Sequence, residues 1–464
     1  MAMIRTLDAR TAGVDAVIAA LERSPEQVAP AIHAAVDDIV VDVRDRGDAA
    51  VIEYTARFDH FTAAAPGALE ITPDELAAAE RAQATETRSA LVYAAERIER
   101  YHAAALSKSW RMTDEHGSIL GQEVRPLDRV GIYIPGGRAA YPSTVLMTAI
   151  PARVAGVREI VLVTPPSSDG AVDATVLAAA RVAGVTEGWR IGGAQAVAAL
   201  AYGTPTIRRV DKIVGPGNIY VALAKRRVFG EVGIDMVAGP SEVVVVADAA
   251  ADPEWIAADL LAQAEHDPMA RAVLITNDDG LTRRVARVLE RQLAALPRRE
   301  IAAASLRDNG ALILVATLDD AVELANRLAP EHLELLVRVP AALLSRVRHA
   351  GAVFMGGHTP EVVGDYVAGP NHVLPTGGTA RFSSPLSTED FVKRSSVIEY
   401  SPAGLAAALP HLRTLTRLEG LAGHGIAAAV RAEGRPSGGS RERPEGSSET
   451  SERGSGEMTG GERE

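Results

Sequence analysis

The 464-residue sequence contains no cysteine. This absence excludes disulfides, cysteine-ligated zinc, iron–sulfur clusters and any thiol nucleophile. Aromatic residues make up only 4% of the chain while hydrophobic residues make up 47%, so a core must consist mainly of Ala, Val, Leu and Ile. Such a composition is typical of an α/β protein, and the length is sufficient for two or more domains with separate cores.

The sequence also lacks a dense cluster of Lys and Arg. Sixty acidic residues against 48 basic ones give a formal net charge of −12, so a nucleic-acid backbone is not expected as a partner. The first residues contain no signal-peptide type of apolar region, and no apolar run reaches the length that spans a membrane. We therefore expect no membrane association and a cytoplasmic location.

Residues 1 to about 125 place apolar residues at helical spacing and predict mostly helices. From Arg129 onwards, short apolar runs alternate with helical segments, as in βαβ units with a parallel sheet. The runs that predict strands are 130–135, 159–165, 188–193 and 210–215, followed by 272–276, 311–316, 334–337 and 351–356.

The repeated alternation predicts two doubly wound, Rossmann-like parallel-sheet domains, joined near Ala238–Ser241. After about Ala380 the pattern changes to a mainly helical tail that ends near Val430. The remaining residues, from Gly434 onwards, have no branched aliphatic or aromatic side chain. This segment is expected to be disordered because it has too little apolar surface to bury.

Three glycine-containing loops follow predicted strands of the first alternating region: Tyr133–Gly137, Gly192–Gln195 and Gly215–Asn218. Ligands of open parallel sheets bind beyond the carboxyl ends of the strands, and glycine lets a phosphate or ribose approach the backbone. The loops therefore predict a nucleotide site, although tight strand-to-helix turns alone would also use glycine. The G-x-G-x-x-G fingerprint of dinucleotide folds is absent from the loop at Gly215.

Trp255–Arg271 predicts a helix that ends at Asp267-Pro268 and carries Gln263 and His266 on one face. The two side chains are suited to bind a metal, but residues at a helix end also serve as caps or remain in solvent.

Other candidates follow the second alternating region. Glu331-His332 lies between a predicted helix and a strand, where the pair could exchange protons or simply be solvated. Asp365 could ligate a metal or form a turn between glycines, and His424 could be a surface residue near a helix break.

The sequence resembles the histidinol dehydrogenase family over roughly residues 25 to 430. The segments that carry this resemblance are YIPGG, YPSTVLM, GGAQA, VDKIVGPGN, DMVAGPSEV, DLLAQAEHDP, PEHLEL, GDYVAGPNHVLPT and the terminal GH. The resemblance implies the four-electron oxidation of L-histidinol to L-histidine by way of L-histidinal, the final step of histidine biosynthesis. It also implies dependence on NAD and on one Zn²⁺ per subunit.

The resemblance assigns roles to individual residues. The implied zinc ligands are Gln263, His266, Asp365 and His424, and the implied proton-transfer pair is Glu331 and His332. The implied NAD-binding residues are Tyr133, Gln195 and Asn218. The implied substrate contacts are Ser241, His332 and Glu419 together with the four metal ligands.

These roles are chemically consistent. Two imidazoles, an amide and a carboxylate leave bound Zn²⁺ with a net charge of about +1, so that it still attracts the substrate imidazole and amine. His332 would remove the alcohol proton, and Glu331 would activate water on the aldehyde. Without cysteine a thiohemiacetal route is closed, and water must be the nucleophile.

Two other functions are compatible with the residues taken one at a time. One is a zinc hydrolase that uses Glu331 with metal-bound water, the glycine loops being only turns. The other is a two-lobed protein that binds a small molecule between the α/β domains without catalysis.

The resemblance further implies a homodimer whose helical tail completes the partner's site. The predicted domains are an N-terminal helical segment (1–24), a discontinuous first α/β domain (25–129 plus 241–380), an NAD-binding second α/β domain (130–240), a helical dimerisation tail (381–433) and a disordered tail (434–464).

Overall fold

The computed structural model describes residues 3–21, 29–136, 140–237 and 239–433. They form two compact units. The first unit comprises the residues up to Lys108 together with Val124–Arg394, and the second comprises Ser109–Glu123 and the residues from Ser395 onwards. Within these ranges no helix is both long and apolar enough to cross a membrane. The segment 434–464, for which we predict disorder, lies outside the described residues.

The strands and helices are as follows. The strands are β1 (Arg5–Asp8), β2 (Glu70–Ile71), β3 (Trp110–Thr113), β4 (Ile119–Pro126), β5 (Arg129–Tyr133), β6 (Glu159–Val163), β7 (Glu187–Trp189), β8 (Lys212–Val214), β9 (Gly233–Ile234), β10 (Glu242–Ala247), β11 (Arg271–Thr276), β12 (Ala311–Leu314), β13 (His332–Leu336), β14 (Ala352–Met355) and β15 (Val392–Glu399). The α-helices are α1 (Ala9–Ala12), α2 (Val14–Leu21), α3 (Pro30–Arg46), α4 (Asp48–Phe58), α5 (Pro73–Ala82), α6 (Thr85–Ala104), α7 (Pro142–Ala155), α8 (Ala174–Ala183), α9 (Gly193–Tyr202), α10 (Ile219–Val228), α11 (Pro253–Ala264), α12 (Asp279–Ala295), α13 (Arg299–Asn309), α14 (Leu318–Leu328), α15 (Pro340–Leu344), α16 (Glu361–Tyr366), α17 (Pro402–Leu418) and α18 (Ala422–Ala432). Short 3₁₀ helices are found at Pro66–Leu69, Thr379–Arg381 and Thr388–Phe391.

Two six-stranded sheets organise the first unit. The first sheet has the order β2-β7-β6-β5-β8-β9 and is parallel except at β2, which pairs antiparallel with β7. The second sheet has the order β1-β12-β11-β10-β13-β14 and is parallel throughout. In both sheets the chain order reverses direction at the centre, between β5 and β8 and between β10 and β13. This is the doubly wound arrangement that the sequence predicts.

Both faces of each sheet are buried. On β10, Val243 and Val245 pack in one hydrophobic cluster, and Val244 and Val246 pack in another on the opposite face. Successive side chains of a strand point to opposite faces, so a strand with helices on both sides must be apolar at every position. The continuous run of valines meets this requirement, and the α/β fold is confirmed.

The eight strands that the sequence predicts are all present, within a few residues of the predicted bounds. The prediction omits β10, although it is a central strand of the second sheet. It also treats residues 1–24 as helical, whereas Arg5–Asp8 forms β1 at the edge of that sheet. A four-residue edge strand has too short a pattern to be recognised from local sequence.

The predicted grouping of residues 25–129 with 241–380 is wrong for the helices from α3 to α6. Val36 and Val40 of α3 pack in one cluster with Tyr133 and Ile213 of the first sheet. Leu91 and other apolar residues of α6 pack with α7 on the opposite face. An apolar helix stripe predicts burial, but it does not specify which sheet the helix covers.

The second unit contains β3, the helices α17 and α18, and most of β4 and β15. β3 and β4 form an antiparallel pair, which β15 extends in the order β15-β4-β3. The predicted C-terminal tail (381–433) is helical in α17 and α18, but residues 392–399 in its first part form a strand rather than a helix. All but two of these eight residues are exposed, so they lack the alternating apolar pattern by which a half-buried strand is recognised.

His102 on α6 is a buried histidine outside the sequence-predicted site. Its side chain has no exposed surface, and neither ring nitrogen has a hydrogen-bond partner within the described ranges. Burial lowers the pKa of its imidazole from 6.5 to about 4. Between these pH values the folded chain binds fewer protons than the unfolded chain, so stability is lost as the pH falls through this window.

We expect His102→Leu to remove this loss, which lowers the unfolding free energy by about 3 kcal/mol between about pH 7 and about pH 4. The measurement is urea denaturation of the parent and the variant at both pH values. His33→Leu, at an exposed position on α3, is the matched control. Its unfolding free energy should fall as much as that of the parent when the pH is lowered from about 7 to about 4. If the unfolding free energies of the parent and of His102→Leu depended equally on pH, the lowered pKa of His102 would be contradicted.

Candidate functional site

A cleft of about 490 Å³ opens between the two sheets of the first unit. On one side it is lined by Gly215–Asn218, which follow the carboxyl end of β8. On the other side it is lined by Ser241 and Glu331, which precede the amino ends of β10 and β13. The carboxyl edge of the first sheet thus faces the amino edge of the second.

The glycine loops meet at the carboxyl edge of the first sheet, as predicted. A Cβ atom on Gly136 or on Gly192 would lie 2.5 Å from the ring of Pro165, which follows β6. A Cβ atom on Gly215 would lie 2.2 Å from the carbonyl oxygen of Tyr133, and Gly215 has φ +111°. Glycine is required where backbones approach this closely, and the positive φ adds a second reason at Gly215.

The three predicted NAD-binding residues differ in accessibility. Asn218 is exposed in the cleft, and its side-chain oxygen accepts hydrogen bonds from the N–H groups of Tyr220 and Val221, which caps α10. Tyr133 is buried, and its hydroxyl accepts a hydrogen bond from the Gly193 N–H at 3.0 Å. Gln195 is also buried, and its amide has no partner among the residues described. Of the three, Asn218 lines the cleft.

Glu331 and His332 lie at the start of β13 and are both buried. Nδ1 of His332 is 3.1 Å from the carbonyl oxygen of Glu242, the first residue of β10. A carbonyl oxygen only accepts, so Nδ1 carries the proton and Nε2 keeps a lone pair. The Glu331 carboxylate accepts a hydrogen bond from the N–H of the same Glu242 at 3.0 Å. One backbone residue therefore orients both side chains.

Burial moves the pKa values of this pair in opposite directions. It raises the pKa of Glu331 to about 8, with the Glu242 and Asp365 carboxylates adding to the rise and hydrogen bonds from the Glu242 N–H and Ser241 opposing it. It lowers the pKa of His332 to about 3. Both groups are neutral near pH 7, so Nε2 of His332 carries no proton while the Glu331 carboxyl holds one.

Gln263, His266 and Asp365 come together in the cleft. α11 ends at Ala264, two residues before His266, because Asp267 and Ala270 close a turn. The Gln263 side chain is fully buried, yet neither its oxygen nor its nitrogen has a partner in the described part of the chain. Asp365 lies on α16 rather than in a turn, and burial raises its pKa to about 6.

The donor set fits a metal ion on this evidence. A buried amide without a partner is costly unless a ligand occupies it, and the Gln263 amide lines the same cleft as the His266 imidazole and the Asp365 carboxylate. Nitrogen and oxygen donors of this kind suit Zn²⁺.

Sequence reasoning missed Glu361 on α16. One of its carboxylate oxygens lies 3.6 Å from Nδ1 of His332, and Asp365 lies 3.9 Å from Nε2 of the same ring. His332, Glu361 and Asp365 thus bring their donor atoms within 4.8 Å of one another. The local sequence at Glu361 contains no signal for this role, since only the tertiary fold brings α16 against β13. His372 also lines the cleft, with Nδ1 2.9 Å from the carbonyl oxygen of Asp365.

The remaining predicted residues, Glu419 and His424, belong to the second unit. Glu419 follows the last residue of α17, and His424 lies in the first turn of α18. Both side chains are exposed.

The sequence was compared with known proteins. It matches the family model described as histidinol dehydrogenase over residues 21–432. It is 52% identical to the histidinol dehydrogenase of Geobacter sulfurreducens over 428 residues, which cover 92% of this chain and 100% of that protein. It is 56% identical to the enzyme of Geobacillus kaustophilus over 413 residues, which cover 89% and 97% of the two chains.

The fold was compared with solved structures. The crystal structure of histidinol dehydrogenase from Elizabethkingia anophelis matches with a TM-score of 0.88 and 35% sequence identity, covering 93% of this chain and 99% of that one. Sequence and structure agree along nearly the whole length. The chain therefore belongs to the histidinol dehydrogenase family of oxidoreductases.

Proposed function

We propose that this enzyme oxidises L-histidinol to L-histidine through L-histidinal, with two NAD molecules as hydride acceptors and with bound zinc. The observation that carries the proposal is the buried Glu331–His332 pair facing the Gly215–Asn218 loop across one cleft. Membership of the family supports L-histidinol as the substrate and the final step of histidine biosynthesis as the reaction. A cytoplasmic location accords with such a biosynthetic role.

The charge of the cleft favours a cationic substrate. Its lining includes Asp267, Glu331, Glu361 and Asp365, and among the described residues Asp235 is the lining carboxylate that pairs with a cation, Lys225. L-Histidinol carries an ammonium group and an imidazole. Positive charge from the substrate and from a metal would lower the raised pKa values of Glu331 and Glu361, so that these two carboxyls would ionise when the site is loaded.

We assign Gln263, His266 and Asp365 of one chain, with His424, as zinc ligands. Zinc held there would orient the substrate and polarise its oxygen as a Lewis acid. The nicotinamide would accept a hydride in each oxidation step. We assign Asn218, Tyr133 and Gln195 to the cofactor side of the cleft, and Ser241 and Glu419 to substrate binding.

His332 is the proposed base of the first step. Its Nδ1 is fixed as a donor to Glu242, so its free Nε2 removes the alcohol proton as the hydride departs. This produces the aldehyde and one NADH.

Glu331 is the proposed base of the second step. In its ionised form it removes a proton from the water that attacks the aldehyde carbon, giving the aldehyde hydrate, a geminal diol. Loss of the second hydride from that carbon gives the acid. The chain has no cysteine, so water is the nucleophile that this site offers to the aldehyde.

The absorbance of NADH tests the proposed reaction as a whole. Histidinol and NAD should yield two NADH for each histidine formed, as counted by amino-acid analysis. A zinc hydrolase or a non-enzymatic binding protein would form none.

We also propose that the enzyme is a homodimer in which α17 and α18 of one chain complete the site of its partner. On these helices Leu415, Leu418, Ile426 and Val430 are each at least half exposed, and none of the residues of α18 is buried. Several large apolar side chains exposed on two helices that pack together favour a protein interface.

Removal of zinc should abolish turnover without unfolding the chain. We expect chelation or His266→Asn to lower activity by at least about 10²-fold, because the metal both orients and polarises the substrate. Zinc content and circular dichroism are measured alongside turnover. His358→Asn, an exposed histidine of the first unit, should keep both zinc and activity. A zinc-free preparation with full activity would refute the metal assignment.

Glu331→Gln should separate the two oxidation steps. We expect histidinal oxidation to slow by about 10²–10⁴-fold, and the single-turnover conversion of histidinol to the aldehyde level to slow much less. The two rates are measured with each substrate supplied separately. Glu323→Gln, on the surface of α14, is the control. Equal losses in both steps would show that Glu331 has another role.

A shared site should allow complementation between inactive variants. We expect His266→Ala and His424→Ala, unfolded and refolded together, to recover part of the parental activity, because a mixed dimer then contains one site made only of unaltered residues. Each variant refolded alone serves as the control. If α18 completes the site of its own chain, every mixed dimer carries a lesion in both sites, and the mixture remains inactive.

A further inference from the structure

We infer that Lys225 and Asp235 form a buried ion pair that positions the Gly215–Asn218 loop for the dinucleotide. The inference rests on the proposed function, because it takes this loop as part of the NAD site. It adds two positioning residues that act through the backbone rather than by touching the substrate.

The pair is almost completely buried. The side chain of Lys225 on α10 is 3% exposed, and that of Asp235, just after β9, is 1% exposed. Nζ of Lys225 donates a hydrogen bond to Oδ1 of Asp235. Opposite charges this deeply buried persist only when both are paired and their remaining hydrogen-bonding groups are satisfied.

Both charged groups bind the backbone of Gly215. Nζ of Lys225 donates to the Gly215 carbonyl oxygen at 2.9 Å, and Oδ2 of Asp235 accepts from the Gly215 N–H at 2.8 Å. β8 ends at Val214, one residue earlier. The ion pair therefore satisfies the first backbone groups that leave the strand, which would otherwise be buried without these partners.

The loop is thus fixed at both of its ends. Gly215 is held by the ion pair and lies against the Tyr133 carbonyl, while Asn218 is held as the cap of α10. Pro216 and Gly217 between them line the cleft. A loop fixed before binding loses less conformational freedom when the cofactor arrives, and this increases affinity.

On the substrate side of the cleft, other hydrogen bonds hold the backbone and the side chains in place. The N–H of Gly239 donates to Oγ1 of Thr376 at 2.6 Å, and the carbonyl oxygen of Ser241 accepts from the N–H of Arg271 at 3.0 Å. Glu331 and His332 are oriented by Glu242. Loss of the Lys225–Asp235 pair should therefore affect the cofactor far more than histidinol or the chemical step.

The experiment compares NAD binding in zinc-loaded, full-length parent, Lys225→Met and Asp235→Asn. Both substitutions nearly preserve side-chain size and remove one charge. We expect the Kd and KM for NAD to rise by about tenfold or more, which corresponds to about 1.4 kcal/mol. At saturating NAD, kcat should stay within about twofold of the parent, and so should the KM for histidinol.

Arg227→Met is the matched control, because Arg227 lies on the same helix and forms an exposed ion pair with Asp37. It should leave NAD affinity unchanged. Lys225→Arg keeps the donor and the charge and should recover most of the affinity that Lys225→Met loses. Hydrogen exchange at the Gly215 amide should accelerate in Asp235→Asn, which retains the shape of the side chain and tests the inference even if Lys225→Met fails to fold.

Two outcomes would overturn the inference. One is a folded Asp235→Asn whose Kd for NAD equals that of the parent. The other is a lowered melting temperature with equal losses in NAD affinity, histidinol affinity and kcat, which indicates a general structural role. Failure of the parent itself to bind NAD would instead refute the proposed function, so the two failures are distinguishable.

Discussion

The site depends on the pairing of β10 with β13 at their amino ends, where one residue orients both proton-transfer candidates. The carbonyl oxygen of Glu242 accepts from His332, and its N–H donates to Glu331. The adjacent ladder, in which Val243 is opposite His332, fixes these contacts in register. A shift of one residue would turn both side chains to other faces. The tautomer of His332 and the orientation of Glu331 therefore follow from backbone geometry at the centre of a buried sheet.

Burial gives the same residues their electrostatic character. Glu331, Glu334 and Glu361 are nearly inaccessible to water, and the pKa of each carboxyl is raised, chiefly by desolvation. Carboxyls kept neutral in this way become anions most readily beside a cation, such as a metal or an ammonium group. In the proposed function, a cation in the cleft would therefore ionise Glu331.

The two sheets contribute opposite edges to one cleft. The first sheet presents its carboxyl edge, where open α/β sheets bind ligands at the reversal of strand order, here between β5 and β8. The second sheet presents its amino edge, so Ser241 and Glu331 precede their strands and Gln263 lies at the end of α11, which returns to the same edge. In the proposed function, this division places the cofactor at the edge of the first sheet and the substrate at the edge of the second.

The sequence by itself determined the α/β class, the eight predicted strands and the family, because strand-length apolar runs and glycine turns are local signals and the family segments lie in fixed order. Only the tertiary structure decided that α3 to α6 cover the first sheet, that Arg5–Asp8 extends the second, and that Glu361 lies beside His332. Likewise, residues distant along the chain bury Glu331 and thereby raise its pKa. The ion pair that holds Gly215 also comes from residues beyond the loop itself. Local pattern predicts which residues are buried, whereas their partners depend on how the sheets and helices pack.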